Sequence, residues 1–424
     1  MQNNSSRRQW LQTLTRTAAT AASWAAMAQT LHAASPKAGS DDEDYWRLVK
    51  RQFPLEQGLL YFNAANVCPA SRAVLDRHAE FLRDFESNPS FQNRLKYEGL
   101  RATTRSKIAA MLRVKPAEIT ITRNTSEGSN LLVHGLTLKL GDEVILFDHN
   151  HPSNLDSWRV RASREGFTPR VLPVNVPAKS KQELIDSVAA AITPKTRVIA
   201  ITHVTSTTGI LFPAKEIAAL ARQHGIWMHL DGAQTFGSLD VDLSDIGCDS
   251  YAASAHKWLM GPLEAGMLYI RAERSVEVWP SVVSAGWKDS LTGGERLEVF
   301  GQRDDPRLVA LDSAIDFIQL IGMPNIEARG RRLATLLKEE LSRLPGVKVK
   351  TNMQPELSGG VIKATLGAAP PKVHYDALWD KYRVATSVTP SGDSAGIRFS
   401  PHIYNTVDEV MKVVEAVRGV AATA

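Results

Sequence analysis

Cysteine is nearly absent from this chain. Only Cys68 and Cys248 occur in 424 residues, in well-separated segments. Two such thiols cannot build a disulfide framework or a thiolate metal site, and Cys248 reads as a small buried residue. No basic run interrupts the chain and the formal charge is only +5, so the electrostatic footprint of nucleic-acid binding is missing. No apolar run is long enough to span a bilayer, and there are no internal repeats. What is present is ample: with 43% hydrophobic residues, the chain can fill two domains with cores of their own.

The most informative feature is a pair of residues. Ile226-Trp227-Met228-His229-Leu230 is a short apolar run ending in Asp231, which opens Asp231-Gly232-Ala233-Gln234. A second short run, Asp249–Ser254, ends just before His256-Lys257, 26 positions after Asp231. Ala214–Gln223 has helical spacing and is closed by Gly225. Strand, helix, strand is the pattern of a parallel sheet, whose ligands bind beyond the carboxyl ends of the strands. A lysine and a carboxylate at two such ends suit pyridoxal 5'-phosphate (PLP). The lysine amine condenses with the cofactor aldehyde, and the carboxylate keeps the pyridine nitrogen protonated, so that the ring accepts electrons from a substrate carbanion. Asn124-Thr125-Ser126-Glu127-Gly128 reads as a helix start with Asn124 as N-cap and Glu127 at the capping-box position. Free N–H groups and the helix dipole there suit a phosphate.

With these residues in view, the chain resembles the class V aminotransferase family of fold-type I PLP enzymes, over nearly all of Tyr61–Val417. The resemblance implies an α/β fold: a large PLP domain with a mostly parallel sheet of the seven-stranded type, a smaller α+β C-terminal domain, and a homodimer with active sites at the subunit interface. It makes Lys257 the cofactor-linked lysine, Asp231 the partner of the ring nitrogen, and Gln234 a contact of the ring's phenolic oxygen. Thr125, Ser126, Ser254 and His256 match phosphate ligands. His151 falls where an aromatic residue stacks on the ring, with His149 as the alternative. Arg398, within Gly396-Ile397-Arg398-Phe399, matches the arginine that grips a substrate carboxylate, a task suited to its planar fork. Asn63 belongs to a substrate-side turn, Asn63-Ala64-Ala65-Asn66. Two positions depart from the family pattern: Ser206 stands where many relatives carry Asn, and Gln302 where many carry a Thr that reaches the phosphate of the other subunit.

The amino terminus reads as an address. Ser6-Arg7-Arg8-Gln9-Trp10-Leu11-Gln12 fits the twin-arginine export motif and precedes an alanine-rich stretch from Ala18. Ala26-Met27-Ala28 offers a cleavage site, with Ala33 or Ala34 as alternatives. Cleavage after Ala28 removes Arg7, Arg8 and Arg16 and no acid, which lowers the charge from +5 to +2. The expectation is a periplasmic enzyme carried by the twin-arginine machinery.

The expected organisation is a signal peptide and linker start over 1–34, a linker and lead helix over 35–62, a large domain over 63–312 and a small domain over 313–424. Strands are predicted at Val144–Phe147, Val171–Val174, Val198–Val204, Ile226–Leu230, Asp249–Ser254 and Gly266–Ile270. Asn325–Leu344 is predicted to be one amphipathic helix, and Thr406 with Glu409 forms a capping box opening the last one.

Sulfur transfer in this family needs a cysteine in the loop before the carboxylate-binding arginine, and Val384–Ile397 has none. Transamination needs one base, normally Lys257. Epimerisation needs proton delivery to both faces of Cα, and isopenicillin N epimerase belongs to this branch of the family. Among twin-arginine-exported class V relatives the best known tailors the glutamyl side chain of the siderophore pyoverdine, and the export signal with the pattern Phe300-Gly301-Gln302-Arg303-Asp304-Asp305 favours a role of that kind. A PLP-binding protein without turnover is the third reading, against which the intact set Lys257, Asp231 and Arg398 argues.

Overall fold

The computed structural model describes residues 24–31 and 42–422. The twin-arginine motif lies outside the described residues, as do the cleavage alternatives at Ala33 and Ala34. Residues 24–31 are helical, and Met27 and Leu31 pack into the main core.

Among the described residues, thirteen strands form three sheets. The large sheet contains β2 (Ile119–Thr122), β3 (Glu143–Phe147), β4 (Thr168–Leu172), β5 (Thr196–Thr202), β6 (Trp227–Asp231), β7 (Ser250–Ser254) and β8 (Gly266–Ile270), in the order β2-β8-β7-β6-β5-β3-β4. All pairings from β4 to β7 are parallel, and β8 runs antiparallel to both β7 and β2. Strands buried on both faces read as continuous apolar runs. Here alternate residues feed two cores: Ile199, Ile201, Met228 and Leu230 one, Val198, Ala200 and Trp227 the other. Even His229 within β6 is buried, its two ring nitrogens meeting Ser129 and Ser250 hydroxyls at 3.2 and 2.9 Å.

The small sheet, ordered β12-β13-β10-β9, is antiparallel and consists of β9 (Val347–Val349), β10 (Ile362–Leu366), β12 (Ser387–Thr389) and β13 (Gly396–Phe399). Its apolar face packs with helices Met323–Ser342, Pro371–Tyr382 and Val407–Ala421 into a separate core. Thr406 and Glu409 do form the reciprocal capping box of the last helix. β1 (Leu60–Tyr61) pairs in parallel with β11 (Val384–Ala385), and Asn63 bridges to Ser400, so the chain entering the large sheet is first stitched to the small one.

Two expectations need correction. A boundary near Asp312 falls inside the unbroken helix Asp305–Ile321, which buries twelve of its residues. Asp312 is not a hinge: it accepts a hydrogen bond from Thr104 and pairs with Lys107 at 2.7 Å, tying the helix to Leu100–Leu112. At the other site, Asn124 does cap its helix, accepting from the Glu127 N–H at 2.9 Å. Glu127, however, reaches past the cap to the Arg123 N–H at 2.6 Å, so the reciprocal half of the capping box is absent.

Candidate active site

The sheet's connectivity gathers the candidates along one edge. Asp231 closes β6, Ser254 closes β7 and is followed by His256 and Lys257, Ser206 follows β5, and His149 and His151 follow β3. β2 runs parallel to β7 because both oppose β8, so Asn124 and the helix Thr125–Gly135 start at the same edge. Gly266 permits this: a Cβ there would lie 2.6 Å from the Ala253 carbonyl and 2.8 Å from Asn124 Cα.

Asp231 is 1% exposed, and its Oδ1 accepts from the Ala233 N–H at 3.0 Å. Among the described residues it forms no ion pair. A buried carboxylate in this state is costly unless a cationic or N–H partner arrives. Lys257 shares its surroundings. Burial lowers the pKa of its ammonium, Asp231 raises it, Arg398 lowers it and Cys68 raises it. The net shift is downward, with burial as its largest cause.

At the helix start, Ser254 Oγ accepts from the Thr125 N–H at 2.8 Å and meets Thr125 Oγ1 at 2.7 Å. Close by in sequence, His256 Nδ1 is buried with no partner, and burial with the neighbouring Lys257 charge lowers its pKa to about 4. His203 Nδ1 and Thr207 Oγ1, just beyond β5, are likewise buried and unpartnered. Orphaned polar atoms after β5 and β7, a helix N-terminus at the same sheet edge, a buried unpaired carboxylate and a desolvated lysine together fit PLP: phosphate at Thr125 and Ser254, pyridine nitrogen at Asp231, aldehyde carbon at Lys257.

Arg398, on β13, donates from Nη1 to the Ser206 carbonyl at 2.9 Å and from Nη2 to Asn63 Oδ1 at 3.0 Å. Its Nε is buried and unpartnered. Burial brings its pKa down to about 10, which still leaves it charged at neutral pH. A guanidinium held by neutral acceptors, with a donor to spare, is prepared for a carboxylate. Ser206 thus contributes its main chain to this contact.

The two histidines separate. Burial lowers the pKa of both. The charges next acting on His151 are those of Asp231, Lys257 and Arg398, whereas those on His149 are Asp148, Asp393 and Lys363. His149 Nδ1 also meets Thr208 Oγ1 at 3.1 Å. His151, whose own Nδ1 meets Ser153 Oγ at 2.8 Å as it caps helix Pro152–Glu165, is the one that shares the Lys257 environment.

Not every candidate gathers there. Gln234 is tied at both ends of its amide, donating to the Ala65 carbonyl at 3.1 Å and accepting from Trp258 Nε1 at 2.7 Å, which leaves one N–H free for a ligand. Ser126 borders a separate groove with Asn130, His134 and Phe300. Gln302 is exposed, accepts from Arg94 at 3.0 Å and lines a charged cavity with Arg123, Glu264 and Arg303. Residues that sequence reasoning passed over include Trp258, which orients Gln234, and Cys68, whose N–H donates to the His256 carbonyl at 2.7 Å. Position next to Lys257 was the available signal for Trp258; nothing marked Cys68.

A parallel sheet with lysine and aspartate at adjoining strand ends, a capped helix start beside them and an unneutralised arginine from a second sheet defines a PLP-dependent enzyme of the aminotransferase kind. The chain belongs to the class V aminotransferase family, whose model matches residues 60–413 and whose cofactor is pyridoxal phosphate. It is 31% identical to an isopenicillin N epimerase of Amycolatopsis lactamdurans over 394 residues, 88% of this chain and 98% of that one. It is 30% identical to a cysteine desulfurase of Cronobacter sakazakii, covering 84% of this chain and 92% of that one. Among solved structures, the cystine C-S lyase C-DES with glycine covalently linked to its PLP superposes with a TM-score of 0.81 at 26% identity, covering 87% of this chain and 98% of that one. No helix among the described residues is long and apolar enough to cross a membrane, and no cluster there could hold a metal ion.

Proposed function

We propose that this protein transaminates an amino acid, or an amino-acid end of a larger molecule, with Lys257 as its base. The observation that carries this is the desolvated Lys257 beside unpaired Asp231, with Arg398 held open for a carboxylate. When bound, PLP would supply the electron sink for the substrate Cα. Asp231 would hold the proton on the ring nitrogen, and Thr125, Ser254 and His256 would take the phosphate. Arg398 would grip the α-carboxylate and so fix which Cα bond faces Lys257. Lys257 Nζ, whose ammonium pKa burial lowers, would take the Cα proton. Sulfur transfer lacks its reagent: Cys68 and Cys248 are both buried, and burial raises each thiol's pKa to about 12.

Epimerisation is the second reading, favoured by the isopenicillin N epimerase relative. Formation of a keto acid with loss of the substrate's amino group supports transamination. Inversion with solvent deuterium at Cα and no keto product replaces it with epimerisation.

Asp231→Asn is expected to retain part of the cofactor, because losing a charge-assisted contact costs only about 1.5–3 kcal/mol of binding. Turnover should nevertheless collapse, since the ring nitrogen would lose its proton. Near-normal turnover in this variant would contradict the role of Asp231.

Exposed Gln302 and the exposed apolar Leu263, Trp279 and Val283 support a homodimer. A monomeric mass by light scattering of the purified protein would remove that inference. The leader supports twin-arginine export to the periplasm, with a glutamyl group of a siderophore as candidate substrate. Arg7→Lys combined with Arg8→Lys is expected to hold the precursor in the cytoplasm. Normal periplasmic recovery of the double variant would refute the route.

A further inference from the structure

The charged residues on the polar face of the small sheet's strands are all cations. β13 pairs with β10 so that Arg398 stands directly across from Lys363, and β9 sets Lys348 across from Thr365. Side-chain alternation sends Ile362, Ala364, Leu366, Ile397 and Phe399 into the core, leaving Lys363 and Arg398 together on the opposite face. None of the four strands contains an Asp or a Glu.

This arrangement is costly. Like charges directly opposite across a strand pair repel, and Lys363 is also fully buried. Its Nζ donates to Thr389 Oγ1 at 2.6 Å and to the Gly396 carbonyl at 3.4 Å, and neither acceptor is charged. Burial, then the Arg398 and Lys350 charges, lower its pKa to about 7. Its stem crosses Gly396, where an added Cβ would sit 3.3 Å from Lys363 Cδ and 2.5 Å from the Ala364 carbonyl. A methionine at 363 would fill the same space without an ammonium to desolvate. Through the register Lys363 stays beside Arg398, and its charge is also felt by His149, which follows β3.

We propose that Lys363 is a specificity-determining cation which, with Arg398, selects substrates bearing a second anionic group beside the α-carboxylate, as a dicarboxylic amino acid or a terminal residue of that kind does. The proposal rests on the reading of Arg398 as the carboxylate grip. Contact with Nζ is not required, because in a poorly screened site a charge several ångströms away still acts strongly. Arrival of an anion would in turn favour the protonated form of Lys363.

Calorimetric titration of the cofactor-loaded protein with glutarate and with valerate tests this, since the two have the same chain length and differ by one carboxylate. The wild type is expected to bind glutarate about tenfold or more tightly than valerate, and Lys363→Met to bring that ratio to about one. A wild-type ratio near one overturns the proposal, even if the variant fails to fold. So does a glutarate preference that survives Lys363→Met. Valerate binding that persists in Arg398→Ala overturns the reading of Arg398 instead, and binding of neither ligand to the wild type counts against both.

Discussion

Replacing Lys257 by alanine is expected to bleach the protein. Wild-type protein should be yellow, from the bond between the Lys257 amine and its cofactor, and borohydride should fix that bond permanently. In Lys257→Ala neither property should survive. Turnover should fall by about two to four orders of magnitude from the lost proton transfer alone, with further loss from the missing covalent anchor. The expectation rests on placement: Lys257 follows the end of β7, adjoining β6 with its buried Asp231, and burial lowers the pKa of its ammonium. An unchanged visible spectrum in the variant would sink the assignment, whatever happened to the rate.

Arg398→Ala is expected to separate substrate recognition from cofactor binding. Loss of a bidentate charged contact costs about 2–5 kcal/mol, so kcat/KM should drop roughly tens- to thousands-fold. The visible spectrum should persist, because the hydrogen bonds of Arg398 run to Ser206 and Asn63 and not to Thr125, Ser254 or Lys257. Equal loss of cofactor and activity would assign the arginine to architecture. A kcat/KM within about threefold of wild type would remove it from the site altogether.

Much of the large sheet was legible because parallel strands buried on both faces are written as unbroken apolar runs. β6 and β8 fall within a residue of where the pattern puts them, and the lysine and aspartate are marked by the strand ends they occupy. β2 was not legible. Its Ile-Thr-Ile-Thr alternation suggests a strand with a wet face, yet all four residues are buried beside β8. Strands of the small sheet are only three to five residues long and leave little periodicity to read. In the site, the residue types were visible but their engagement was not. The Gln234 amide is already held by Ala65 and Trp258, partners that only folding brings together. Lys363 reads as an ordinary outward lysine until the register sets it opposite Arg398.

The stitching of the entry segment to the small sheet has a mechanical corollary. Asn63 is bridged to Ser400, two residues from Arg398, so grip and guide are carried on one lever. Ser206, which follows β5, belongs to the large-sheet side and meets Arg398 through its carbonyl. If the lever swings outward, Asn63 travels with the guanidinium and the Ser206 carbonyl is left behind. Ala65 joins the two parts, its carbonyl accepting from the Gln234 amide and its N–H donating to Ser400 Oγ. A carboxylate seated on Arg398 would then act as the latch that holds the jaw shut, and its release would let the product out without dismantling the grip.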